Sequence, residues 1–224
     1  MTTTFDLRDS ALGIAPALQK FPSGAWDLAG HYCAAYFEEM ARAASTIDLD
    51  QVERAASILV DAYTRGATVF SCGNGGSASI SNHLQCDHSK GVRNGTDLSP
   101  RVISLTTNMA LLTAIANDIG YEKVFTHQLE SNARPGDVLV VISSSGRSPN
   151  IVEALSWARE HKVRTIALTG FSGGEARQQA EAAVHIESEN YGVIEDLHQA
   201  VMHAIAQYIR QSRMSDEAVA VTTF

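Results

Sequence analysis

Two histidines and two carboxylates, set at helical spacing in two distant stretches of the chain, carry much of the chemistry this sequence offers. His83 and Asp87 are four residues apart, so on a helix they share a face. Far downstream, Glu195, Gln199 and His203 repeat the same four-residue interval. Imidazole and carboxylate groups bind divalent metals such as zinc, and two such helices side by side would supply a tetrahedral set from His83, Asp87, Glu195 and His203. The same groups move protons near neutral pH. Spacing leaves a plainer alternative open: an i,i+4 His/Asp pair is commonly a surface hydrogen bond, and His88 and His198 lie close by in the chain.

Two short loops could hold an anion. Gly73-Asn74-Gly75-Gly76-Ser77 follows the apolar run Ala67 to Cys72, and Ser143-Ser144-Ser145-Gly146-Arg147-Ser148 follows Val138 to Ile142. Each opens a helical pattern, so backbone N–H groups and the positive end of a helix converge where a phosphate would sit. The first loop fits the dinucleotide fingerprint G-x-G-x-x-A, but the next strand runs into Thr106-Thr107-Asn108 with no acid to hold a ribose. A tight turn explains its glycines equally well. The serine loop is more specific, since hydroxyls and N–H groups together enclose a phosphate without a Walker lysine, and the chain has no G-x-x-x-x-G-K-[ST]. Ser148 also suits the N-cap of a helix beginning at Pro149. Arg147 either adds a charge-assisted contact or faces solvent.

To position these residues the chain alternates strand and helix. Apolar runs predict strands at 67–72, 101–105, 137–142, 164–169 and 182–187. Helical patterns fall at 76–88, 108–117, 121–132, 148–161, 173–180 and 193–212. Five such strands predict an α/β, doubly wound parallel sheet that binds ligands at the carboxyl ends of its strands, where both loops lie. Residues 1–24 read as an arm, 25–212 as one domain and 213–224 as a loose tail. Within the domain, residues 25–65 form a helical hairpin ahead of the core at 66–212, free to cover its own sheet or a subunit interface.

At 224 residues and 45% apolar, the chain can bury a substantial core. A net charge of −8 with no basic run argues against a nucleic-acid partner. No apolar run approaches a membrane span. Cys33, Cys72 and Cys86 form no CxxC pair, and with no secretory leader pattern they suggest a reducing, cytoplasmic setting.

Several motifs in one order carry a resemblance. They are Ser71 to Ser77, His83 with an acid four residues on, Leu112 to Asp118, Pro135 to Leu139, Ile142 to Asn150, Leu168-Thr169-Gly170, and the late E-D-L-H-x-x-x-x-H run. Together they resemble the sugar isomerase (SIS) fold, a flavodoxin-like three-layer αβα architecture, and within it the bacterial phosphoheptose isomerases. The resemblance implies a homotetramer that interconverts sedoheptulose 7-phosphate and D-glycero-D-manno-heptose 7-phosphate. It implies a substrate and phosphate site of Asn74, Gly75, Ser77, Asn117, Asp118, Ser143, Ser144, Ser145, Ser148 and Glu195. It also implies one Zn2+, or another divalent metal, on His83, Asp87, Glu195 and His203, with Asp87 and His203 as the acid/base pair.

Two positions depart from the family's pattern. Asp87 stands where the family has glutamate, which withdraws the carboxylate by roughly 1.5 Å, and Glu195 stands where it has glutamine. Two carboxylates on one metal would lower its Lewis acidity, which favours another metal or a related substrate. Gly192 and Arg147 differ as well. Relatives of the same fold bind sugar phosphates without catalysis, or bind the replication initiator DnaA. Those DnaA-binding relatives lack the last-helix histidine, so His203 favours an enzyme here.

Overall fold

The computed structural model describes residues 20–224; of the arm expected at 1–24, residues 1–19 lie outside the described residues. Strands β1 (Thr68–Gly73), β2 (Arg101–Ser104), β3 (Val138–Ser143), β4 (Arg164–Thr169) and β5 (Ala182–His185) form one parallel sheet in the order β2-β1-β3-β4-β5. Every residue of β1 and of β3 is buried, as a strand covered on both faces requires. Alternate side chains serve opposite layers. Val69, Val140, Ile142, Ile166 and Leu168 pack beneath α2 (Leu49–Arg65), α3 (Gly76–Cys86) and α8 (Tyr191–Gln211). Phe70, Cys72, Leu139, Val141 and Ala167 pack beneath α4 (Met109–Asp118), α5 (Thr126–Asn132), α6 (Pro149–Glu160) and α7 (Gly174–Gln179).

The N-terminal hairpin covers its own chain. α2 lies on the sheet, while α1 (Ala29–Ala44) sets Ala43, Tyr36 and Met40 against Val193, Ile194 and Leu197 of α8. Two helices differ from their sequence pattern. The run expected at 76–88 leaves α-geometry at Asp87 and continues as a π-helical turn, Asp87–Val92. The run at 121–132 divides into a 3-10 turn, Tyr121–Lys123, and α5. The tail read as loose contains a short helix, α9 (Asp216–Val221), because Ser215 accepts the Ala218 N–H at 3.3 Å and two acids fill the first turn.

β1 and β3 are neighbours whose ends are level, Gly73 pairing with Ile142. From β1 the chain crosses to β2 on one side, and from β3 to β4 on the other. The loops after these two strands therefore flank the crevice where connections diverge, the usual ligand position in an open α/β sheet.

Three imidazoles are buried in this frame. His88 Nδ1 lies 2.6 Å from the Tyr63 hydroxyl, and His185 Nδ1 lies 3.0 Å from Thr169 Oγ1. His198 has no hydrogen-bond partner for either ring nitrogen among the described residues. Burial disfavours the imidazolium and pulls all three down to about 4. Between that value and the unfolded value near 6.5, the unfolded chain binds more protons than the folded one. Their contribution to stability is thus complete above that range and is lost as pH falls through it. Thermal denaturation should show a midpoint lower by on the order of 10 °C at pH 5 than at pH 7.5. His198→Leu, which orphans no partner, should lessen that slope; equal slopes in both proteins would exclude His198 as a source.

Candidate active site

The two loops are tied to one another. Asn74, after β1, and Asn150, in the first turn of α6, exchange amide hydrogen bonds of 2.9 Å in both directions. The Tyr121 hydroxyl donates to Asn74 Oδ1 at 2.9 Å. Within the serine loop, the Gly146 N–H donates to Ser143 Oγ at 3.2 Å and the Arg147 N–H to Ser145 Oγ at 3.3 Å. Gly146 has φ +63°, and a Cβ there would lie 1.9 Å from the Gly173 carbonyl oxygen, so only glycine lets this loop close on the loop after β4.

Two hydroxyls of the serine loop remain unspent. Ser144 is buried and its Oγ has no partner among the described residues. Ser148 occupies the N-cap of α6 but makes no capping hydrogen bond. A buried, unpaired hydroxyl costs about 1–3 kcal/mol unless a ligand completes it, so the loop is built for a polar guest. Arg147 stands exposed at its mouth, its guanidinium donating to Ser172 Oγ at 2.7 Å. The first loop presents Gly75 as the N-cap of α3 with no side-chain cap, leaving the first-turn amides beside Ser77 free of a capping side chain.

A buried polar network fixes α3 against the sheet. Ser81 Oγ lies 2.9 Å from Ser71 Oγ and 2.8 Å from Ser104 Oγ, and Asn82 Oδ1 accepts from Ser104 and Thr106 at 2.7 Å each. That anchorage holds His83 and the start of the π-turn opposite α8. His83 Nε2 lies 3.2 Å from Asp87 Oδ1, and His203 Nε2 lies 3.2 Å from Asp87 Oδ2. The two Nε2 atoms are themselves 3.2 Å apart, and the Gln199 amide nitrogen is 2.9 Å from His203 Nε2. The donors of His83, Asp87 and His203 all fall within 4.8 Å of one another. Two imidazole nitrogens facing each other and one carboxylate is a donor set that a divalent cation satisfies at once. His83 is exposed and Asp87 and His203 are half-buried, which leaves room for a further ligand.

Glu195 stands outside this group, two α8 turns nearer the loops. Its half-buried carboxylate packs on Gly76, where an added Cβ would lie 2.1 Å from Oε2. Burial, then the neighbouring Asp196, raise its pKa. Asn117 and Asp118 pair with each other at 2.7 Å on the exposed end of α4. The residues that sequence reasoning passed over as site components are Asn150, whose signal was its place in the serine motif, and Tyr121, which carried none. Among the described residues the roomiest cavity, about 630 Å³, opens near Pro135 and Val163 at the amino ends of β3 and β4, away from the loops. A cavity of about 270 Å³ adjoins Asp87 and His203 and is walled by Lys90, Arg210 and Phe224.

The SIS domain family matches residues 31–170. The phosphoheptose isomerase of Akkermansia muciniphila is 41% identical over 160 residues, 71% of this chain and 84% of that protein. The chain belongs to the phosphoheptose isomerase family. The phosphoheptose isomerase of Mycobacterium bovis is 38% identical over 163 residues, covering 69% of this chain and 78% of its own. The solved phosphoheptose isomerase of Neisseria gonorrhoeae superposes with a TM-score of 0.74 at 32% identity, covering 81% of this chain and 98% of that one. In this family member the SIS match spans both loops, His83 and Asp87, whereas His203 comes from α8 beyond it.

Ser144→Ala tests the serine loop. Removing a buried unpaired hydroxyl should leave the melting temperature unchanged or slightly raised, while affinity for inorganic phosphate measured by calorimetry falls several-fold. A large stability loss with unchanged phosphate affinity would make Ser144 a packing residue.

Proposed function

We propose that this protein is an aldose–ketose isomerase that interconverts sedoheptulose 7-phosphate and D-glycero-D-manno-heptose 7-phosphate through an enediolate. The observation that carries the reading is one crevice with unspent serine hydroxyls at one end and a His/Asp/His group at the other, in a chain of the phosphoheptose isomerase family. The serine loop, with Ser143, Ser144, Ser145 and Ser148, holds the phosphate. Ser77 and the Gly75 end of α3 line the sugar chain, and Asn74 braces the loops through Asn150.

Isomerisation moves a hydrogen from C1 to C2 and a hydroxyl proton from O1 to O2, so it needs proton carriers beside both carbons and a means of stabilising the enediolate. His83, Asp87 and His203 would hold a divalent metal, Zn2+ or a relative, whose chemistry is Lewis-acid polarisation of the sugar oxygens. Asp87 and His203 are the acid/base pair implied by the family resemblance, and His203, accessible at the crevice, is assigned the hydroxyl proton. The buried loop hydroxyls and the apolar helices behind them exclude water from the phosphate end.

We also propose a cytoplasmic homotetramer. Exposed Leu28 and Phe37 on and beside α1, and Met109 and Ile119 on α4 and at its end, are the apolar surface such an assembly would cover. The cysteines are unpaired, and among the described residues no helix is long and apolar enough to cross a membrane. Light scattering on the eluting protein should give four times the 24.1 kDa chain mass; a monomer would remove the assembly.

Proton NMR of zinc-supplemented protein with sedoheptulose 7-phosphate in heavy water tests the activity. The aldose signals should appear together with deuterium at C1. Folded, metal-loaded protein that yields neither product nor exchange would favour a non-catalytic sugar-phosphate binder of the same fold.

A further inference from the structure

Carbon-to-carbon proton transfer requires a carboxylate with a free lone pair beside the sugar chain. Asp87 does not offer one, since Oδ1 faces His83 and Oδ2 faces His203, each at 3.2 Å. Asp196, the next acid on α8, accepts the Tyr36 hydroxyl at 2.6 Å and belongs to the α1 contact. Glu195 is different. Among the described residues its carboxylate has no hydrogen-bond or ion-pair partner, yet it is held in place against the bare Cα of Gly76. Gly76 opens α3, immediately after the first loop, and Glu195 shares a stripe of α8 with Gln199 and His203. The interval from Glu195 to His203 spans about 12 Å along the helix axis. That is on the order of an extended heptose phosphate, so a sugar anchored at the loops and reaching His203 passes the Glu195 carboxylate.

We infer that Glu195, rather than Asp87, is the carboxylate that carries the proton between C1 and C2. The inference rests on the isomerase reading. In the ketose-to-aldose direction Glu195 takes one hydrogen from C1 as a proton, and the C–H electron pair becomes the C1–C2 double bond while O2 receives a proton. O1 then gives up its proton as the C1 carbonyl forms, and the protonated Glu195 returns its proton to C2. The carboxylate ends as it began, and no oxidant or reductant is consumed. Asp87 is left wholly to the ligand group, where a short side chain suffices because the π-turn brings it between the imidazoles.

Three variants separate the roles: Glu195→Gln, Glu195→Asp and Asp87→Asn, each followed by C1 deuterium exchange, calorimetric Kd for sedoheptulose 7-phosphate, and the absorption spectrum of bound Co2+. Glu195→Gln should lose exchange and turnover by roughly 10²–10⁴-fold, with Kd within a few-fold and the Co2+ spectrum unchanged. Glu195→Asp should recover part of the exchange, and Asp87→Asn should lose the Co2+ spectrum. Wild-type exchange in Glu195→Gln, or loss of its Co2+ spectrum, would overturn the inference while leaving the isomerase reading intact. Wild-type protein that takes up Co2+ but neither exchanges nor isomerises would remove the isomerase reading, and this inference with it.

Discussion

The parallel pairing of β1 with β3 at the centre of the sheet is the contact on which the rest of the site depends. Both strands are buried on both faces, and the backbone N–H and C=O groups they exchange have no water to turn to. Their register is therefore fixed by the apolar side chains above and below, and with it the level at which each strand ends. Because the chain leaves the two strands in opposite directions, the loops that follow cannot fill the space between them. The crevice is a product of connectivity, and the Asn74–Asn150 amide pair closes its two sides onto one another.

At the phosphate end, backbone geometry performs the arranging, and the side chains are left over for a ligand. Gly146 lets the serine loop turn tightly enough for its own amides to be satisfied by Ser143 and Ser145. Ser144 and Ser148 then have no internal duty, which is the condition for binding without first breaking a hydrogen bond. The metal-ligand end is arranged by packing. A small buried network of serine and threonine hydroxyls fixes α3, and the apolar face of α8, from Val193 to Ile209, fixes the other helix. The two imidazoles and Asp87 meet because those two placements are independent of one another and of any ligand.

The division of labour between Asp87 and Glu195 follows from the same geometry. A carboxylate shared between two imidazoles is well placed to hold a cation and poorly placed to collect a proton from carbon. One packed against a glycine, with both oxygens uncommitted, has the reverse properties. The shorter acid on one helix and the longer acid on the other are then complementary features of one site.

Residue types and periodicity alone specified the parallel α/β sheet, its five strands to within two residues at each end, both anion loops and the His83/Asp87/His203 stripes. These are local signals: an apolar run long enough for a buried strand, glycine and serine at a strand-to-helix junction, and four-residue spacing on a helix. Only the tertiary structure decided that α1 and α2 cover their own chain, that α3 breaks into a π-turn at Asp87, and that the tail forms α9. It alone paired Asn117 with Asp118 on the exposed end of α4 while bringing Tyr121 to Asn74. It alone set Glu195 against Gly76, apart from His83, Asp87 and His203. Those outcomes depend on which surfaces meet once the sheet is assembled, and residues far apart in the chain register that meeting only through the packing that produces it.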